Sequence, residues 1–87
     1  MGLFKIDLKR LLEHDLRKIN KQFIPKILEA IENLSEEPFP VQSRKMKGSE
    51  SSYRLRVGDY RVIYQVDTSN KIVTIYHARH RKDVYKR

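Results

Sequence analysis

The sequence predicts an α+β fold: an N-terminal strand and a two-helix hairpin backing an antiparallel β-meander, with a short C-terminal helix or tail. Three observations carry this. Apolar residues recur at helical spacing between residues 8 and 34. From Tyr53 onward the period falls to two, as a half-buried strand requires. Between the two halves lies SEEPFP, residues 35–40, which stops a helix, because a residue ahead of proline avoids the α region and Pro38 and Pro40 cannot continue one.

Phe4, Ile6 and Leu8 alternate with Lys5 and Asp7 and predict a short first strand. Leu8, Leu12, Leu16, Ile19 and Phe23, joined by Leu11, define an amphipathic helix over residues 9–20. Ile24, Ile27, Leu28, Ile31 and Leu34 repeat the pattern, and Pro25 falls in the first turn of the second helix, where its missing N–H costs nothing. The helices form a hairpin around Asn20. Arg44 to Lys47 reads as a short edge strand, Tyr53 to Val57 and Tyr60 to Val66 as two strong strands, and Ile72 to Arg79 as a last one. In that last strand, Val73, Ile75, His77 and Arg79 are expected on one face and Ile72, Thr74, Tyr76 and Ala78 on the other. The order β-α-α-β-β-β-β gives helices layered on a single sheet.

Eighty-seven residues suit one domain, 1–87, with a modest core, since a chain of this size buries only about 60% of its unfolded surface. The absence of cysteine excludes disulfides, thiolate metal sites and cysteine nucleophiles, and fits a reducing cytoplasm. No apolar run approaches the roughly 20 residues of a membrane span, so a cytoplasmic chain without membrane contact is expected. The net charge is +8, and its distribution decides what it means: residues 1–40 hold seven Lys/Arg against seven Asp/Glu, and residues 41–87 hold twelve against four. A one-sided basic block predicts a polyanionic or acidic partner.

Within that block, YRLRVGDYRVIYQVD spans residues 53–67. Gly58-Asp59 is a two-residue hairpin connection, so Val57 opposes Tyr60, Arg56 opposes Arg61, Leu55 opposes Val62, Arg54 opposes Ile63 and Tyr53 opposes Tyr64. Tyr53, Leu55, Val57, Tyr60, Val62, Tyr64 and Val66 share the face that buries against the helices. Arg54, Arg56 and Arg61 share the other with Ile63 and Gln65. Like charges directly opposite on a hairpin cost a few tenths of a kcal/mol, so folding alone does not account for Arg56 facing Arg61. Guanidinium groups donate in a planar fork and stay charged at cellular pH, which suits phosphates.

The tail YHARHRKDVYKR, residues 76–87, interleaves Arg79, His80, Arg81, Lys82, Lys86 and Arg87 with Tyr85. Basic residues around an aromatic ring provide phosphate contact and base stacking together. His77 and His80, three apart on a strand, fall on opposite faces with no third ligand beside them, so no metal site is expected.

YRLRVGDYRVIYQV followed by HRKDVY, behind a strand and two helices, resembles the RelE branch of the RelE/ParE toxin superfamily, the toxin half of bacterial type II toxin–antitoxin pairs, over essentially the whole chain. The resemblance implies a RelE-like microbial RNase fold and a ribosome-dependent, metal- and cofactor-independent endoribonuclease that cuts the mRNA codon in the A site. It also implies a cognate antitoxin that wraps the toxin, and repression of operator DNA through that antitoxin. By position, the catalytic residues are Arg54, Arg56, Arg61, Arg81 and Tyr85, with Arg79, His80, Lys82 and Lys86 as RNA contacts; the tail arginine is Arg81 or Arg79, because spacing before the tyrosine varies among relatives. Arginine at 54 and 56, where some members carry lysine, removes any lysine base there.

Attack of a 2′-OH on the adjacent phosphate gives a 2′,3′-cyclic phosphate and a 5′-OH through a pentavalent, extra-charged transition state that fixed cations stabilise. Arginine, with a pKa above about 12, cannot take the proton. Tyr85, His80 and His77 are the residues of a type able to do so. Two rival readings are a ParE-like inhibitor of DNA gyrase, against which the HRKDVY tail argues, and a non-catalytic nucleic-acid-binding module. A plain folded domain whose basic surface holds an acidic partner is a third.

Overall fold

A computed structural model describes residues 3–48 and 50–85, with only the backbone of Val84 and Tyr85. The elements are β1 (Lys5–Leu8), α1 (Arg10–Leu16), a 3₁₀ turn (Lys21–Phe23), α2 (Ile24–Asn33), β2 (Ser43–Lys45), β3 (Ser52–Val57), β4 (Tyr60–Asp67), β5 (Ile72–His80) and α3 (Arg81–Tyr85). The strands form one five-stranded sheet of order β1-β5-β4-β3-β2. The meander β2 to β5 is antiparallel, and β1 lies parallel to β5 at the sheet's edge. This is the predicted α+β architecture. No helix among the described residues is long and apolar enough to cross a membrane.

Leu12, Ile19, Ile27, Ile31 and Leu34 of the helical layer bury against Leu55, Val62, Tyr64, Val66, Val73, Ile75 and Ala78 of the sheet. Tyr64 anchors this core. It is fully buried, and its hydroxyl donates to the carbonyl of Pro38 at 2.8 Å, which fastens the proline loop beneath the sheet. Burial pushes its phenol above the ordinary value of 10, with a hydrogen bond to Ser43 opposing the shift.

The first helix is shorter than its apolar stripe suggests. It ends at Leu16 rather than near residue 20, and the i→i−3 bonds of Lys18 to Asp15 and Ile19 to Leu16 carry the chain out of it. Asn20 then caps the 3₁₀ turn, its Oδ1 accepting from the Gln22 N–H at 3.1 Å; such local bonding competes with helix continuation. Leu8, Leu11 and Phe23, expected in the buried stripe, are exposed: Leu8 belongs to β1 rather than to the helix, Leu11 lies in the first turn of α1 beside the buried Leu12, and Phe23 falls in the 3₁₀ turn.

The hairpin register is the expected one, pair for pair, from Tyr53↔Tyr64 to Val57↔Tyr60. Gly58 alone of the two turn residues has positive φ, at 61°, the II′ pattern whose twist matches the strands. The last strand departs from expectation. Ile63 pairs with His77 but Tyr64 with Ile75, so Tyr76 is an extra residue, a β-bulge. Beyond it the alternation reverses. Ala78 joins Val73 and Ile75 in the core, while His77 and Arg79 move to the opposite face.

Candidate nucleic-acid interface

The side of the sheet away from the helices carries two rows of paired residues. In one, Arg56 of β3 opposes Arg61 of β4, and Arg61 opposes Arg79 of β5. In the other, Arg44 of β2 opposes Arg54 of β3, followed by Ile63 and His77. Strands lie about 4.8 Å apart and alternate residues about 7 Å apart, so five arginines share a patch roughly 14 Å by 7 Å. Val41, Gln42, Arg44, Arg54, Arg56 and Arg61 line a cleft of about 210 Å³, and no carboxylate is among them.

Each guanidinium is held differently. Arg61 donates through Nη1 to the carbonyls of Gly58 at 3.0 Å and Tyr60 at 2.9 Å, which fixes it beside the turn. Arg56 is exposed, and among the described residues its guanidinium has no hydrogen bond or ion pair. Arg79 places Nε 3.6 Å from Oδ2 of Asp15, a carboxylate only 13% exposed. The Nε of Arg81, the first residue of α3, lies 3.9 Å from Oδ1 of Asp59, whose side chain is 69% exposed. Its backbone N–H donates to the Asp59 carbonyl at 2.7 Å, tying the tail to the hairpin turn.

Asp15 organises the edge of this patch. β1 pairs with β5 only as far as Ile75, and beyond that point Oδ2 of Asp15 accepts the Ala78 N–H at 3.2 Å in place of a strand neighbour. The same oxygen contacts Nδ1 of His77 at 2.8 Å. Neither Asp15 nor Arg44 stands out in the sequence. Arg44 is separated from its partner strand by residues 46–51, too long a connection to fix a register, and Asp15 reads as an ordinary polar position of α1.

His80, expected as an RNA contact, is not brought to the arginine side. It opposes Tyr60 on the helix side of the sheet, with ring centroids 5.5 Å apart and edge-on, and its Nδ1 accepts the Lys82 N–H at 3.2 Å at the start of α3. Lys82 is exposed. The side chain of Tyr85 and all of Lys86 lie outside the described residues. The patch can bind phosphates through several forks at once, and it can stabilise charge that develops on one of them.

The family described as ParE toxin of type II toxin-antitoxin system, parDE, matches residues 4–85. Toxin RelE1 of Methanocaldococcus jannaschii is 30% identical over 86 residues, covering 95% of this chain and 96% of its own. Toxin RelG of Mycobacterium tuberculosis is 31% identical over 74 residues, covering 84% and 85%. The crystal structure of an archaeal RelE–RelB complex from Pyrococcus horikoshii superposes with a TM-score of 0.79 at 29% identity, over 93% of this chain and 97% of that one. With this fold, this span and these relatives, the chain belongs to the ParE toxin family of type II toxin–antitoxin systems, in its RelE branch.

Proposed function

We propose that this toxin is an mRNA endoribonuclease acting on the ribosome, and that its arginine face is the surface on which RNA is cut. The observation that carries the reading is the row Arg56–Arg61–Arg79, three cations in register across adjacent strands where like charges oppose folding. Arg54 and Arg56 grip the backbone and orient the nucleotide. Its 2′-oxygen attacks the adjacent phosphorus while the bond from phosphorus to the 5′-oxygen breaks. Arg61 and Arg81 stabilise the pentavalent phosphorane between them.

Arg81 is preferred over Arg79 for this role on the strength of their partners. A pair with a well-exposed carboxylate such as Asp59 is worth little and releases Arg81 readily, whereas the shielded Asp15 retains Arg79. Tyr85, acting as its phenolate, takes the 2′-proton, and solvent protonates the departing 5′-oxygen. With so little acid–base equipment, much of the rate must come from orientation, worth roughly 7–11 kcal/mol at best, and the ribosome supplies it.

The partner is an antitoxin, as in the RelE–RelB complex from Pyrococcus horikoshii. An amphipathic or acidic segment suits a chain with basic excess, an open sheet face and exposed Leu8 and Leu11. Operator binding, where it occurs, belongs to that partner.

Analysis of the product ends tests the reaction. Fragments released from translating ribosomes should carry 2′,3′-cyclic phosphate and 5′-OH ends; 5′-phosphate ends, or no fragments from a folded toxin, contradict it, and gyrase inhibition would be assayed next.

A further inference from the structure

We propose that Arg44 is a further substrate-binding residue, which takes a phosphate next to the one that is cut and carries the interface to the β2 edge of the sheet. The proposal rests on the reading of the arginine face given above. Arg44 opposes Arg54, so the alternation of β2 places it with the arginines while Lys45, which opposes Tyr53, falls on the other side.

Edge protection accounts for a charge on β2, because an unpaired strand edge invites association. It does not account for this one. Lys45 already supplies an edge charge, so edge protection does not call for a second cation on the arginine side of β2. The contacts of Arg44 point the same way. Among the described residues its Nη1 reaches the carbonyls of Val41 at 3.5 Å and Ser43 at 3.4 Å, long bonds that an incoming phosphate can replace with shorter, charge-assisted ones.

Arg44 also forms one wall of the carboxylate-free cleft with Arg54, Arg56 and Arg61. β2 lies two strand spacings, about 10 Å, from β4. Arg44 therefore sits on the wall of the cleft farther from Arg61, the side on which a neighbouring phosphodiester rather than the scissile one would lie.

The test is equilibrium binding of a short 2′-O-methyl RNA, which lacks the nucleophile and is not cut, measured by fluorescence anisotropy over a range of KCl concentrations. Arg44→Ala should weaken binding about tenfold at low salt and make the log–log salt slope shallower by about 0.7, the share of one phosphate contact on a single strand. Arg44→Lys should restore most of the slope. Lys21→Ala, which removes an exposed cation from the 3₁₀ turn, should leave the slope unchanged. Wild-type affinity and slope in Arg44→Ala, or an equal loss in Lys21→Ala, would overturn the assignment. A wild-type chain with no salt-dependent binding would defeat the arginine face as an RNA surface and Arg44 with it, whereas binding that Arg44→Ala leaves intact defeats Arg44 alone.

Discussion

Arg56 and Arg61 stand directly opposite one another on the β3–β4 hairpin, two like charges at a cross-strand pair. Such a pair opposes folding, and it persists where function compensates. Arg56→Gln should therefore leave the fold as stable as before, or a few tenths of a kcal/mol more stable in urea unfolding, while cleavage at limiting toxin falls at least tenfold. A clear loss of stability would mean that Arg56 serves the fold.

Arg79 and Arg81 should separate in the same assay. Arg81→Ala is expected to lower the single-turnover rate by about 10²–10³, the usual effect of removing one transition-state donor. Arg79→Ala should cost less than tenfold in rate and, because its pair with Asp15 is partly exposed, no more than about 1 kcal/mol in stability. The reverse ranking would move the catalytic role to Arg79.

Asp15 should prove structural. Its shielded carboxylate accepts the Ala78 N–H and contacts His77 and Arg79, so Asp15→Ala leaves a backbone donor and two cationic or polar groups without their partner. A cost of about 2–3 kcal/mol is expected, lowering the Tm by roughly 10 °C or more. Calorimetry of Asp15→Asn, which keeps an acceptor, should show a smaller loss.

The hairpin was legible in the sequence because a two-residue turn fixes every later pair, and Gly58-Asp59 is such a turn. No comparable signal announced the bulge at Tyr76, since one inserted residue leaves composition and local propensity unchanged and alters only which face each side chain takes. That single residue decides whether Arg79 lies in the core or beside Arg61. Leu8 and Leu11 misled for a different reason: they fit the helical period, but Leu8 ends β1 before the helix begins, and α1 packs through Leu12 and Leu16, which leaves Leu11 on its outer side. Long-range partners such as Asp15 with His77, 62 residues apart, have no local signature at all.

Stability should also respond to pH at both extremes. Tyr64 has a raised pKa in the folded state, so its contribution is fully present below the unfolded value near 10 and is lost as pH rises beyond it toward the folded value. Tyr64→Phe should remove that alkaline loss and cost about 1–3 kcal/mol at neutral pH, because the Pro38 carbonyl loses its donor. Asp67 behaves oppositely. Hydrogen bonds from Asn70 lower its pKa, so its contribution is present above the ordinary carboxylate value and fades as pH falls through the folded one. Urea titrations of wild type, Tyr64→Phe and Asp67→Asn between acid and alkaline pH check both signs.

Cleavage of mRNA on the ribosome is the activity proposed for the arginine face. Primer extension on a purified translation system, with wild type and Arg61→Ala, each with and without ribosomes, tests it most directly. New 5′ ends inside A-site codons, present only with ribosomes and absent with a folded Arg61→Ala, are the predicted result; wild-type cleavage undiminished in Arg61→Ala, or no cleavage under any condition, would contradict it.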